Sequence, residues 1–93
     1  MDPLKIIEKQ SGFLRLISYL GFNGEKSLTT ILEDTNIPVH QLYSSIEKGK
    51  ELKLLSSRID NTKYPPRNII FLTEKGKKIS EKIKEISDII NSD

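Results

Sequence analysis

The 93-residue chain contains no cysteine and no tryptophan, one methionine and one histidine. Without thiols there is neither a disulfide framework nor a thiolate zinc site, and nothing in the sequence supports a secreted protein. A cytoplasmic location is the expectation. No apolar run approaches the roughly 18 residues that a membrane-spanning helix needs, and the N-terminal stretch, with Asp2 and Glu8 among short apolar clusters, lacks the pattern of a signal peptide. The single histidine, His40, has no carboxylate fixed beside it, so a nucleophilic triad lacks its base. One imidazole among scattered carboxylates does not define a metal site. Glu33 and Asp34 are adjacent, so on a helix they diverge and form a poor acid–base pair. The Gly24-Glu25-Lys26-Ser27 stretch has a superficial likeness to a phosphate loop, but its glycine spacing is wrong and it follows a helix rather than a strand. No enzyme, no cofactor and no metal are expected.

What the chain does have is charge: 30% of its residues are charged and 35% are hydrophobic, enough for one small domain with one modest core. The net charge of +2 is unevenly spread. Residues 1–38 carry −1 and residues 79–93 carry −2, while residues 39–78 carry +5. A phosphate-facing surface produces this asymmetry, as does an ordinary lysine-rich solvated surface.

Read in order, Asp2 is an N-cap and Pro3 a first helical residue, and a helix is predicted over residues 1–20. Leu4, Ile7, Leu14 and Ile17 recur at helical spacing, and Ile6, Phe13, Leu16 and Tyr19 form a second apolar flank, more than one small domain can readily bury. Gly21-Phe22-Asn23-Gly24 breaks that helix. Ser27 or Thr29 caps a short helix with Leu28, Ile31 and Leu32, ending near Thr35 and Asn36. A turn through Ile37-Pro38 leads into a further helix, with Pro38 in its first turn, whose apolar face is Val39, Leu42, Ile46 and Gly49 and whose polar face is His40, Ser44, Glu47, Lys48 and Glu51, with Gln41 and Tyr43 at the borders. Residues 27–51 thus read as a helix-turn-helix, or as a plain helical hairpin. After Leu52 the pattern becomes extended: Leu54–Ile59 and Arg67–Leu72 read as two strands joined by a polar loop with Pro65-Pro66, a hairpin spanning 54–72. Thr73 caps a last helix over 73–91, in which Ile79, Ile83, Ile86 and Ile90 form a coiled-coil-like stripe.

The order helix, helix, helix, strand, loop, strand, helix resembles the winged-helix DNA-binding domains, and within them the small MarR-like and PadR-like transcriptional regulators of bacteria and archaea. Val39-His40-Gln41-Leu42-Tyr43-Ser44-Ser45-Ile46 is similar to the family's recognition helix, Leu52-Lys53-Leu54-Leu55 to its lead into the wing, and Phe71-Leu72-Thr73-Glu74-Lys75-Gly76 to its wing-to-helix junction. The resemblance covers residues 27–78 well and the outer helices only by position. Two departures stand out: Glu51-Leu52-Lys53 replaces a turn that commonly holds glycine, and Ser44-Ser45 stands where an arginine is common.

The resemblance implies a mostly α, α+β winged helix-turn-helix with a two-stranded wing and a long C-terminal helix for dimerisation. It implies double-stranded DNA as partner, with the recognition helix in the major groove and the wing on backbone or minor groove. His40, Gln41, Tyr43 and Ser44 are the candidates for base edges and Lys48 for phosphate, although Tyr43 can instead pack on the wing and His40 can be merely solvated. Lys63 and Tyr64 at the wing tip and Arg58 and Arg67 on its flanks are the other DNA candidates, with pairing of either arginine to Asp60 as the alternative. Ile79, Ile83, Ile86 and Ile90 are the candidate homodimer interface unless the first helix of the same chain covers them. A winged helix serving as a protein-interaction module is the rival function.

Overall fold

The computed structural model of the protein describes residues 2–92, with the side chains of Pro3 and Ile6 outside the described set. In chain order it contains α1 (Pro3–Lys9), α2 (Phe13–Asn23), β1 (Lys26–Ser27), α3 (Leu28–Thr35), α4 (Val39–Glu51), β2 (Leu55–Asp60), β3 (Arg67–Leu72) and α5 (Glu74–Asn91). None of the described helices is long and apolar enough to cross a membrane.

The N-terminal segment, expected as one helix, is two. Asp2 caps α1 as expected, its Oδ1 accepting from the Leu4 N–H at 3.0 Å. The break falls at Gly12, whose φ of +82° is a left-handed conformation that glycine adopts without a Cβ penalty. A Cβ on Gly12 would also come 3.0 Å from the Ile37 side chain. Ser45 Oγ on α4 donates to the Ser11 carbonyl at 3.2 Å, so the turn between α1 and α2 is fastened to α4. In α2 the buried face draws on both expected flanks: Phe13 and Leu16 of the second and Ile17 of the first lie in the core together with Leu20, while Leu14 of the first faces solvent, as does Leu4 in α1. The helix also runs through Gly21 and Phe22 to Asn23 before Gly24 ends it, donating its N–H to the Leu20 carbonyl at 2.9 Å.

Ser27 is the α3 cap, its Oγ accepting from the Thr30 N–H at 3.3 Å. Asn36 closes α3 in the left-handed region, Ile37 turns into the core, and Pro38 occupies the α4 N-cap, one residue before the first turn where it was expected. The sheet has three antiparallel strands in the order β1-β3-β2 rather than two. The hairpin register runs from Leu55 opposite Leu72 to Asp60 opposite Arg67, and Lys26 and Ser27 add to the far side of β3 opposite Ile70 and Ile69. A two-residue strand leaves no alternating pattern in a sequence. On one sheet face Leu55, Ile70 and Leu72 join Ile31, Ile37, Leu42, Ile46 and the α2 residues in a single core.

The junction from wing to α5 is tied to the end of α4. Thr73 Oγ1 donates to the Lys53 carbonyl at 2.7 Å and accepts from the Gly76 N–H at 3.1 Å, and the Thr73 N–H reaches the Leu54 carbonyl at 3.0 Å. A Cβ on Gly76 would lie 1.8 Å from the Leu54 carbonyl oxygen. Thr73 and Gly76 are therefore hydrogen-bonding and steric requirements of this crossing. Beyond it α5 packs mainly on α2.

Candidate nucleic-acid interface

α4 begins on the surface and sinks one side into the core. Leu42, Ser45, Ile46 and Gly49 form its buried side. Val39, expected on the apolar face, is instead 55% exposed, because the chain reaches the core through Ile37 before the helix starts and the Ser45 position takes the inward place through its bond to Ser11. The opposite side exposes His40, Tyr43, Ser44 and Glu47, with Tyr43 half in solvent. Gln41 is half-buried, its carbonyl lying 3.5 Å from Gln10 Nε2. Lys48 is half-buried and held to Glu51 at 3.2 Å, a one-turn pair on the same helix. The four residues expected to face a partner thus share the first turn and a half of α4, three of them fully available.

The turn from α4 to β2, within Glu51-Leu52-Lys53, puts Lys53 at φ +61°, a left-handed conformation. Its side chain is exposed, as is that of Lys50 one turn earlier. Neither carries an ion-pair partner among the described residues. No pattern in the sequence singles these two lysines out from the others.

The wing projects beyond the core. Its loop, residues 61–66, is exposed throughout, with Tyr64 96% exposed at the tip beside Lys63. Arg67 is exposed where the return strand starts and, like Lys63, has no ion-pair partner among the described residues. Asp60 does not pair with either arginine. Its Oδ1 accepts from the Thr62 hydroxyl at 2.6 Å and the Thr62 N–H at 3.0 Å, and these bonds hold its carboxyl below the usual range. Arg58 is committed elsewhere: its guanidinium makes two hydrogen bonds to Glu25 across the sheet, one of 3.0 Å, and lies 5.7 Å from the centre of the Phe71 ring. That pairing lowers the Glu25 pKa and raises that of Arg58. Sequence spacing could not anticipate it, since 33 residues separate the partners.

Of the expected dimer stripe, Ile79 and Ile83 are half-buried against the core of their own chain, whereas Ile86 is 57% and Ile90 75% exposed, with Ile89 beside them. The stripe is divided between an intramolecular half and an open half. Among the described residues no three carboxylate, imidazole or thiol groups converge to hold a metal ion.

No protein-family model and no curated protein sequence matches the chain. Solved structures do. BpsR of Bordetella bronchiseptica, whose DNA binding is regulated by 6-hydroxynicotinic acid, aligns with a TM-score of 0.74 and 22% identity over 86% of this chain and 60% of its own. The chain therefore spans less than two thirds of that protein. AF1382 of Archaeoglobus fulgidus aligns with a TM-score of 0.71 and 29% identity, over 99% of this chain and 100% of its own. A transcriptional regulator homologue of Pyrococcus horikoshii OT3 aligns at 0.69 and 19% identity, again over 99% and 100%. The chain has the α+β winged helix-turn-helix fold of small transcriptional regulators.

Proposed function

We propose that this winged-helix chain is a homodimeric, cytoplasmic transcriptional regulator that binds duplex DNA, with α4 in the major groove and the wing on the backbone or minor groove. The observation that carries the reading is the pairing of an exposed, hydrogen-bonding α4 face (His40, Tyr43, Ser44, with Gln41 at its border) with an adjacent wing whose Lys63 and Arg67 have no ion-pair partner among the described residues. Short polar side chains near the start of a recognition helix suit base edges, and unpaired cations suit phosphates. Lys48 supplies a phosphate contact when it leaves Glu51, a surface pair of small energetic weight. Tyr64 joins Lys63 at the tip, and Arg58 stands behind the wing.

A protein-interaction module is the competing reading, and the exposed Val39, Tyr43, Ile59 and Tyr64 favour it. Salt separates the two. Duplex binding should weaken steeply as salt rises, and Lys63→Ala with Arg67→Ala should weaken specific and random duplexes alike while making the log-affinity versus log-salt slope shallower by roughly one to two units per monomer. A slope unchanged by the double substitution puts the wing away from DNA.

A further inference from the structure

β2 and β3 run past the core into the wing, and the fastening of the wing to the body can be followed residue by residue. On the inward sheet face, Leu55, Ile70 and Leu72 are buried, but Ile59 is 59% exposed. Residues 61–67 are all exposed. Apolar packing therefore stops before the tip. On the outward face, Arg58 lies opposite Ile69, which in turn lies opposite Ser27 on β1, so these three side chains form a row across all three strands. Glu25 and Phe71 each stand two residues from that row on the same face. The Arg58 side chain leaves β2, crosses β3 at the Phe71 ring, and meets the Glu25 carboxylate just before β1 with two parallel hydrogen bonds. It is the last side-chain tie to the body of the fold along β2 before the tip among the described residues.

We propose that Glu25 and Arg58, seated on Phe71, form a staple across the outward sheet face that sets the attitude of the wing towards DNA. Both are positioning residues, which act through the contacts of Lys63, Tyr64 and Arg67 rather than by touching DNA. The inference rests on the DNA-binding reading above and deepens it. An exposed ion pair of a flexible lysine with a carboxylate contributes little. A planar guanidinium in bidentate contact and held against an aromatic face loses less freedom per bond made, and only arginine supplies that geometry. The lowered Glu25 pKa is consistent with a pair that persists. β1 pairs with β3 over only two residues, so a link from its approach to β2 reinforces the shortest strand as well as the wing.

Simple electrostatics and the staple predict opposite outcomes when the carboxylate is removed. Loss of a negative charge strengthens DNA binding by a long-range field; loss of the staple weakens it by releasing the wing. The test uses the full chain with three variants: Glu25→Ala; Glu33→Ala, which removes an exposed carboxylate with no ion-pair partner among the described residues; and the reversed pair Glu25→Arg with Arg58→Glu. Expected for Glu25→Ala is about a fivefold loss of duplex affinity, the scale of one neighbouring-residue coupling. Amide hydrogen exchange between residues 58 and 69 should accelerate roughly tenfold, reporting local opening of the wing. Glu33→Ala should show neither effect, and the reversed pair should restore both properties. Unchanged exchange in Glu25→Ala overturns the staple, and tighter duplex binding, as for Glu33→Ala, overturns its positioning role. If the unaltered protein binds no duplex at any salt concentration, the DNA-binding reading fails, while faster exchange in Glu25→Ala and its recovery in the reversed pair still establish the staple.

Discussion

Lys53 holds a left-handed backbone, φ +61°, in the tight turn between α4 and β2. A side chain bearing a Cβ pays about 1–2 kcal/mol for that conformation. The turn persists because its N–H donates to the Lys50 carbonyl at 3.0 Å and its carbonyl accepts from the Thr73 hydroxyl at 2.7 Å. Lys53→Gly keeps both backbone bonds and relieves the strain, against a larger loss of chain entropy on folding, so a net gain of about 0.5–1 kcal/mol in denaturant unfolding is expected. A fall in affinity for duplex in the same variant would mark the Lys53 charge as a DNA contact. A second residue predicts a pH dependence at the alkaline end. Tyr19 is pushed up to about 12, first by desolvation and then by the hydrogen bond from its hydroxyl to Asp34 Oδ2 at 2.6 Å and the charge of that carboxylate. An unfolded tyrosine ionises near pH 10. The folded state thus prefers the protonated phenol, and the associated stability is complete below about pH 10 and lost as pH rises towards 12. Melting temperatures should fall more across that window in the unaltered protein than in Tyr19→Phe, and equal falls would refute the assignment.

At the scale of elements, α4 is the part whose chemistry the sequence displays most openly. Replacing Gln41 and Ser44 together by alanine should leave the fold intact, since Ser44 is exposed and the Gln41 carbonyl, not its amide group, meets Gln10. The expected result is a loss of roughly 1–3 kcal/mol of preference for the specific site over random duplex, measured by competition binding, with random-duplex affinity unchanged. An unaltered preference removes direct readout by this helix. The α3–α4 unit, β3 and the Thr73 cap were legible because their signals are local: a hydroxyl three residues before the N–H it caps, helical apolar spacing, and β-branched runs between polar turns. Those that were not legible depend on partners distant in sequence. Gly12 breaks the first helix because Ile37 and Ser45 wait against that turn, β1 exists because β3 offers an edge, Val39 is exposed because Ile37 has already filled the core, and Arg58 pairs with Glu25 from 33 residues away. Periodicity carries no information about such contacts.

At the scale of the whole molecule, α5 is a helix that the core of its own chain covers only in part. α5 has 18 residues, about 27 Å of helix, and it packs mainly on α2, with Ile79 and Ile83 half-buried. Leu14 lines the same groove as Ile83 yet remains 45% exposed, and Ile86, Ile89 and Ile90 continue the apolar stripe into solvent. Lys82–Glu85 and Lys84–Asp88, at 3.4 and 2.9 Å, pair charges on the exposed surface of the same helix. An isolated monomer rarely leaves such a face open, and in the proposed dimer a second copy of α5 related by a two-fold axis would cover it with matching side chains. The same axis would present two α4 helices to half-sites about 34 Å apart, which ties dimerisation to DNA affinity. Ile83 is a poor place to test this, because aspartate there would be buried against the protein's own core. Ile86→Asp with Ile90→Asp strikes only the exposed half. Sedimentation equilibrium at micromolar concentration should show twice the chain mass for the unaltered protein and a folded monomer for the variant, with melting of the monomer still cooperative. Duplex affinity should fall at least tenfold as the second half-site contact is lost, since linked sites gain about 10²–10⁴ over single ones. A monomeric unaltered protein, or a variant that remains dimeric, would place the assembly on another surface.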